Sequence, residues 1–131
     1  MALRIDKKLC TGCRACEIVC AASHYDVFNP KRARIKVTFG HPLPIPPKFC
    51  IQCPKPKCAE VCETGALYRN DDKKIVVYEK EKCNYCLKCI EACPFDGIFY
   101  NDIYNEILKC DLCDGDPQCV KFCQRKALSN R

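Results

Sequence analysis

Sixteen of the 131 residues are Cys, and they fall into four quartets with none left over. The first is Cys10, Cys13, Cys16 and Cys20, spaced C-x2-C-x2-C-x3-C. The second is Cys50, Cys53, Cys58 and Cys62, spaced C-x2-C-x4-C-x3-C. The third is Cys83, Cys86, Cys89 and Cys93, spaced C-x2-C-x2-C-x3-C and followed by Pro94. The fourth is Cys110, Cys113, Cys119 and Cys123, spaced C-x2-C-x5-C-x3-C. All four open C-x2-C and close C-x3-C, which random scatter would not give. Thiolates are soft anionic ligands, and crowding four of them into a short run is the chemistry of a metal centre.

The spacing favours iron–sulfur cubanes. Thiols at i, i+3 and i+6 form a tight cup of loop, in which backbone amides can turn inward toward sulfur and each Cys can take a different iron. The third run has the spacing of bacterial ferredoxin ligation, where the fourth Cys binds the neighbouring cluster. Zinc is the first alternative, but structural zinc sites pair two C-x2-C knuckles across a long gap, and no His stands at ligand spacing here. Disulfides are the second, and they need an oxidising compartment.

Nothing points to catalysis. Every quartet is complete, so no iron is left open for a substrate. The sequence holds only 5 Gly and no Gly-rich phosphate loop, acid–base pair or nucleophile–base pair. His24 and His41 are the only His, and both are expected to be exposed polar residues. Arg14, Lys88, Lys109 and Lys121 sit within or beside the Cys runs and could raise local redox potentials or be solvated surface charge. Phe49, Tyr85, Phe95 and Phe122 are expected to shield bound clusters from water.

The elements that must position these thiols repeat with them. Five residues after the last Cys comes an apolar residue in three quartets, Leu67, Ile98 and Leu128; the first quartet has Tyr25 there. Extended, β-prone runs flank the quartets: ALRI before the first, RIKVTF after it, KIVVY before the third and NEILK before the fourth. The C-x3-C ends suit a helical turn, since i and i+4 share a face, and CRACEIVCAA is the best candidate for a helix. Each unit therefore reads strand, Cys loop, helical turn, strand, an α+β chain with short strands, short helices and much loop. HPLPIPPKFCIQCPKPK carries six of the 9 Pro, so it cannot be a central strand. It reads as an extended connector with polyproline character or as a partner-docking arm.

Composition agrees with a metal-organised chain. The hydrophobic share is 48% and falls to about 36% without Cys, a thin core for one domain. The formal net charge is +6, but each oxidised cubane site adds about −2, so four would bring the total to about −2. The excess of Lys and Arg then reads as compensation for buried anions, not as a nucleic-acid surface. The start MALRIDKKLCTGC has no apolar leader and no run approaches transmembrane length, so a cytoplasmic protein without membrane insertion is expected, a setting that favours metal thiolates.

KCNYCLKCIEACPFDGI resembles the bacterial two-cluster ferredoxins. The whole chain resembles the four-cluster ferredoxin-like electron-transfer subunits of oxidoreductases, and KCDLCDGDPQCVKFCQRKAL is especially like the last motif of that family. The resemblance implies four [4Fe-4S] clusters in two nested two-cluster modules, an outer one from residues 1–45 with 99–131 and an inner one from 46–98. It implies four ligand sets: Cys10, Cys13 and Cys16 with Cys123; Cys110, Cys113 and Cys119 with Cys20; Cys50, Cys53 and Cys58 with Cys93; and Cys83, Cys86 and Cys89 with Cys62. It implies a non-catalytic relay in anaerobic metabolism, between a large catalytic subunit and an acceptor such as ferredoxin. That partner would be a tungstopterin or molybdopterin enzyme or a carbon monoxide dehydrogenase. The chain is short for the family and lacks an anchoring tail, which points to the compact branch found with tungsten aldehyde oxidoreductases. Only Cys93 is followed by Pro, a departure that affects the fold around the other quartets and not their ligands. A freely diffusing polyferredoxin and a zinc-organised binding module are the alternatives.

Overall fold

The computed structural model describes residues 2–37 and 47–130. Thr38 and Phe39 of RIKVTF, His41 and the first part of the Pro-rich run, residues 41–46, lie outside the described residues. The β-prone runs give β1 (Leu3–Ile5), β2 (Ile35–Lys36), β5 (Ile75–Tyr78) and β7 (Glu106–Lys109); the other strands are β3 (Lys48–Phe49), within the run read as a connector, β4 (Leu67–Asn70), β6 (Ile98–Asn101) and β8 (Leu128–Asn130). They pair antiparallel as four separate two-stranded ladders, β1 with β8, β2 with β3, β4 with β5 and β6 with β7. Ladders this small are not stable alone, so they need packing against something else.

Four helices supply part of that packing: α1 (Ala15–Tyr25), α2 (Lys57–Glu60), α3 (Lys88–Ala92) and α4 (Gln118–Phe122). Only α1, the run CRACEIVCAA, exceeds two turns; it is free of Gly and Pro and ends at left-handed Asp26. Its inward face is Cys16, Glu17, Cys20 and Ala21. The other three are single turns that each begin just before the third Cys of a quartet; α3 and α4 stop at the fourth, and α2 stops two residues before it. α1 packs on α4 and α2 on α3. Leu67, Ile98 and Leu128 open β4, β6 and β8 and are all buried. Tyr25, at the same offset, instead ends α1, because the helix runs on past Cys20.

The apolar side chains form two small cores. Leu3, Ala33, Ile35, Phe49, Leu112 and Leu128 gather around Cys16, Cys20 and Cys119. Leu67, Val76, Ile98 and Ile107 gather around Cys58. Polar contacts tie distant segments together. Arg32 makes two hydrogen bonds to Glu106, at 2.9 and 3.1 Å. Its guanidinium lies 4.3 Å from the Tyr25 ring and 4.1 Å from the Tyr104 ring, which fastens the segment after α1 to the β6–β7 hairpin.

Gly97 marks the closest backbone approach. A Cβ there would lie 2.7 Å from the Phe49 carbonyl oxygen and 2.8 Å from Cys50 Cα. Both neighbours are backbone, so neither can swing away. Gly97→Ala is expected to destabilise the fold by about 1–3 kcal/mol, read as a thermal midpoint lower by several degrees. Gly65→Ala, left-handed at φ 72° but facing open space, is expected to cost only the backbone strain, on the order of 1 kcal/mol. Equal midpoints for the two variants would contradict the close approach.

Candidate metal centres

Two cavities are each lined by three Cys of one quartet and the last Cys of another, and the resemblance implies two further groups among the other eight Cys. One cavity is lined by Cys10, Cys13, Cys16 and Cys123 (site 1). Another is lined by Cys62, Cys83, Cys86 and Cys89 (site 4). Cys119 lies among Cys110, Cys20 and Cys113, near enough that burial first and these thiols next push its pKa up (site 2). Cys53 and Cys58 are raised in the same way, by burial first and then by Cys50 and Cys93 (site 3). No disulfide joins any of the sixteen.

Helical spacing explains the exchange of the last thiol. Residues i and i+4 lie about 6 Å apart along a helix and on one face. Cys16 and Cys20 on α1 therefore face sites 1 and 2 in turn, and α4 runs back with Cys119 at site 2 and Cys123 just past its end at site 1. α2 and α3 do the same for sites 3 and 4 through Cys58, Cys62, Cys89 and Cys93. Sites 2 and 3 meet where Cys110 approaches Cys50; burial is the main cause that lifts the Cys110 pKa, to about 12, with Cys50 and Cys20 adding to it. With the ligand sets that the resemblance implies, the four sites would form a row. Cys13 and Cys86, the exposed thiols, belong to the two end sites.

The loops are shaped to point amides at sulfur. The second residue after the first Cys is left-handed in every quartet: Gly12, Gln52, Tyr85 and Leu112. In three of them its N–H donates to that Cys, Gln52 to Cys50 at 3.4 Å, Tyr85 to Cys83 at 3.3 Å and Leu112 to Cys110 at 3.4 Å. The third residue after the last Cys is left-handed in three quartets, Gly65, Asp96 and Lys126. Beyond it, Gly97 N–H donates to Cys93 at 3.3 Å. The Arg34 amide donates to Cys20 at 3.2 Å. Most of these left-handed residues are not Gly, and each costs on the order of 1 kcal/mol. The strain is held in place by loops that present sulfur and N–H together, the environment an iron–sulfur cluster requires. Burial pushes Cys16 up to about 12 and Cys89 up to about 11, so a bound cation is needed to keep these thiols as thiolates. The Tyr78 hydroxyl is buried and lines site 4, where burial and the Cys83 thiol push its pKa up, a donor suited to a sulfur-bearing group. The donor set therefore fits cubane clusters.

His24 departs from the expectation of an exposed residue, since its side chain is only 13% exposed. Four residues beyond Cys20 on α1, it falls on the same face. Its Nδ1 donates to the Cys20 carbonyl at 2.9 Å and its Nε2 reaches Asp111 Oδ1 at 3.1 Å. Burial opposes its charge, but hydrogen bonds to Asp111, Cys113 and Cys20 outweigh that and push its pKa up to about 12. Burial likewise opposes the Asp111 carboxylate, and His24 and Arg34 hold it well below the usual range. His24, Asp111 and Cys113 could also place one ligand atom each on a metal ion, but Cys113 belongs to the site 2 thiols. The i+4 offset from Cys20 was the signal for His24; Gln52, Asp111 and Tyr78 carry none.

The flanking residues divide. Phe49 is buried, while Phe95 and Phe122 are 50% and 57% exposed and cover no thiol from water completely. Lys88 pairs with Glu63, Lys121 with Asp116 and Arg14 with Glu17. Lys109 alone of the four is buried, at 3% exposure.

The 4Fe-4S dicluster domain family matches residues 43–131. The chain is similar to the polyferredoxin-like subunit of aliphatic sulfonate oxidoreductase from Pyrococcus furiosus, 37% identical over 87% of this chain and 66% of that protein. It is similar to subunit beta of NADH-dependent phenylglyoxylate dehydrogenase from Aromatoleum evansii, 33% identical over 98% of this chain and 29% of that protein. A subunit of anaerobic dimethyl sulfoxide reductase from Escherichia coli is 30% identical over 95% of this chain and 69% of that protein. The chain spans less than two thirds of the length of the first two.

Because the cores are small and the loops strained, the fold depends on metal. Anaerobic removal of iron by a chelator is expected to abolish the far-ultraviolet circular dichroism of the native chain and expose all 16 thiols to a thiol reagent. An unchanged spectrum after complete iron loss would contradict this.

Proposed function

This chain belongs to the 4Fe-4S dicluster domain family, and from that premise we propose that it is the electron-relay subunit of an oxidoreductase complex. It carries electrons through four [4Fe-4S] clusters between a large catalytic subunit and a redox acceptor such as ferredoxin. The clusters supply reversible one-electron exchange when bound. The chain's own residues hold them in order, exclude water and set the local field.

The row of four thiol groups with an exposed Cys at each end carries this reading. Sites 1 to 4 take one cluster each, with the three-plus-one ligand sets named above. Sites 1 and 2 form the outer module, from residues 1–45 and 99–131, and sites 3 and 4 the inner one, from 46–98. Sharing a single-turn helix keeps paired sites close, as fast electron exchange requires. Exposed Cys13 and Cys86 mark the ends where electrons enter and leave. No residue is needed for proton transfer or substrate binding, so the chain is non-catalytic.

The favoured partner is a tungstopterin subunit of the aldehyde oxidoreductase type; a molybdopterin enzyme or a carbon monoxide dehydrogenase would use the same relay. A catalytic oxidoreductase partner is supported by the relatives, which are named as subunits of aliphatic sulfonate oxidoreductase, phenylglyoxylate dehydrogenase and dimethyl sulfoxide reductase. Among the described residues no helix is long and apolar enough to cross a membrane.

Three measurements test this reading. Iron analysis of anaerobically purified protein is expected to give about 16 iron per chain; a colourless, zinc-loaded protein would sink the relay. Anaerobic Cys93→Ala is expected to lose or convert the site 3 cluster and spare that of site 4, and the reverse pattern would refute the ligand sets. Affinity isolation from the native cell, with tungsten, molybdenum and nickel assayed in the co-purifying large subunit, is expected to find tungsten. A chain that always isolates alone would favour a free polyferredoxin.

A further inference from the structure

Lys109 ends β7, a strand buried at all four positions, and is only 3% exposed. Among the described residues, no carboxylate lies within ion-pair distance of its Nζ, unlike Arg14, Lys88 and Lys121. The ammonium donates to the Cys110 carbonyl at 2.9 Å and to Gln52 Oε1 at 3.2 Å. Both acceptors are neutral. A buried ammonium is costly unless an anion faces it, so the charge that balances Lys109 has to come from elsewhere.

Gln52 shows where. It is 4% exposed and belongs to the site 3 loop, where its own N–H donates to Cys50. Its side chain crosses to site 2. Nε2 donates to the Cys110 carbonyl at 2.8 Å, and Oε1 accepts from both the Val76 amide at 2.9 Å and Lys109. Gln52 thereby fixes the ammonium at the junction of sites 2 and 3. The ammonium bonds the Cys110 carbonyl at site 2 and the side chain of Gln52, whose own N–H donates to Cys50 at site 3, so its field reaches both.

Given the four-site reading above, we propose that Lys109, held by Gln52, is the positioning residue for electron passage between sites 2 and 3. Its counter-charge is the joint negative charge of the two clusters, and it raises the midpoint potential of both. In the step it serves, one cluster is oxidised by one electron and its neighbour reduced by one. No bond forms or breaks, and Lys109 keeps its protons. Because the cation lies between the two sites, it lowers the energy of the added electron on either side of the step. Sites 1 and 4 lie beyond it.

Redox titration followed by electron paramagnetic resonance tests this on the full chain. Lys109→Met is expected to keep full iron content and to move two of the four midpoints to lower potential, leaving the other two unmoved. Lys109→Arg is expected to keep all four at wild-type values, as is Lys88→Met, which removes an exposed cation. Four midpoints unmoved in Lys109→Met, or all four moved alike, would overturn the assignment. If Lys109→Met takes up no iron, Lys109→Arg decides. Full loading at wild-type midpoints upholds the need for charge, and failure to load overturns it in favour of packing. A wild-type chain without four cubane signals would sink the four-site reading itself, whereas four signals indifferent to Lys109 would sink only the role of Lys109.

Discussion

The fold depends on keeping sixteen sulfur ligands facing inward in four groups. Apolar burial cannot do this alone, because the two cores hold few large side chains beyond the thiols themselves. The strands are two to four residues long, each ladder has two strands, and three of the four helices are single turns. Elements this short hold together only when a cross-link replaces the missing hydrophobic contact. The metal centres are that cross-link. An exchanged fourth thiol, as the resemblance implies, would make each centre bind two distant segments at once.

That exchange also dictates local backbone. A loop wrapped around a compact group must turn its amides inward, and the left-handed residue two places after each first Cys does so. Gly12 accommodates this without strain. Gln52, Tyr85 and Leu112 accept the strain because their side chains have other work. Gln52 spans the two middle sites, Leu112 packs in the first core, and Tyr85 packs at the edge of the second. The same compromise appears at Gly97, where the absence of a side chain lets the tail of the third quartet lie against Cys50.

Electrostatics complete the arrangement. Lys48, Lys82, Lys88 and Lys121 on the outside pair with carboxylates, whereas the middle of the row carries groups that are not surface pairs. His24, Asp111 and Arg34 form a connected network beside Cys20 and Cys113, and Lys109 sits between the central sites. A formal charge of +6 therefore says little about the surface of the assembled protein. Part of the positive charge belongs to the interior and has its counterpart in the clusters.

The sequence by itself determined the chemistry and the local elements. Four quartets with the same ends identify an iron–sulfur chain, the helix of CRACEIVCAA follows from its composition, and Leu67, Ile98 and Leu128 announce the strands after the thiols. These are legible because spacing along the chain fixes short-range geometry. The tertiary structure decided what lies across the chain. The gathering of Cys123 with Cys10, or of Cys62 with Cys83, joins segments far apart in sequence, and spacing within a run constrains neither; the resemblance to four-cluster subunits implied those partnerships, and spacing alone did not. The buried place of Lys109 and the reach of Gln52 to Cys110 were likewise invisible. Exposure and long-range hydrogen bonds depend on which surfaces meet after folding, and the residues that meet there have no periodic signal to announce them.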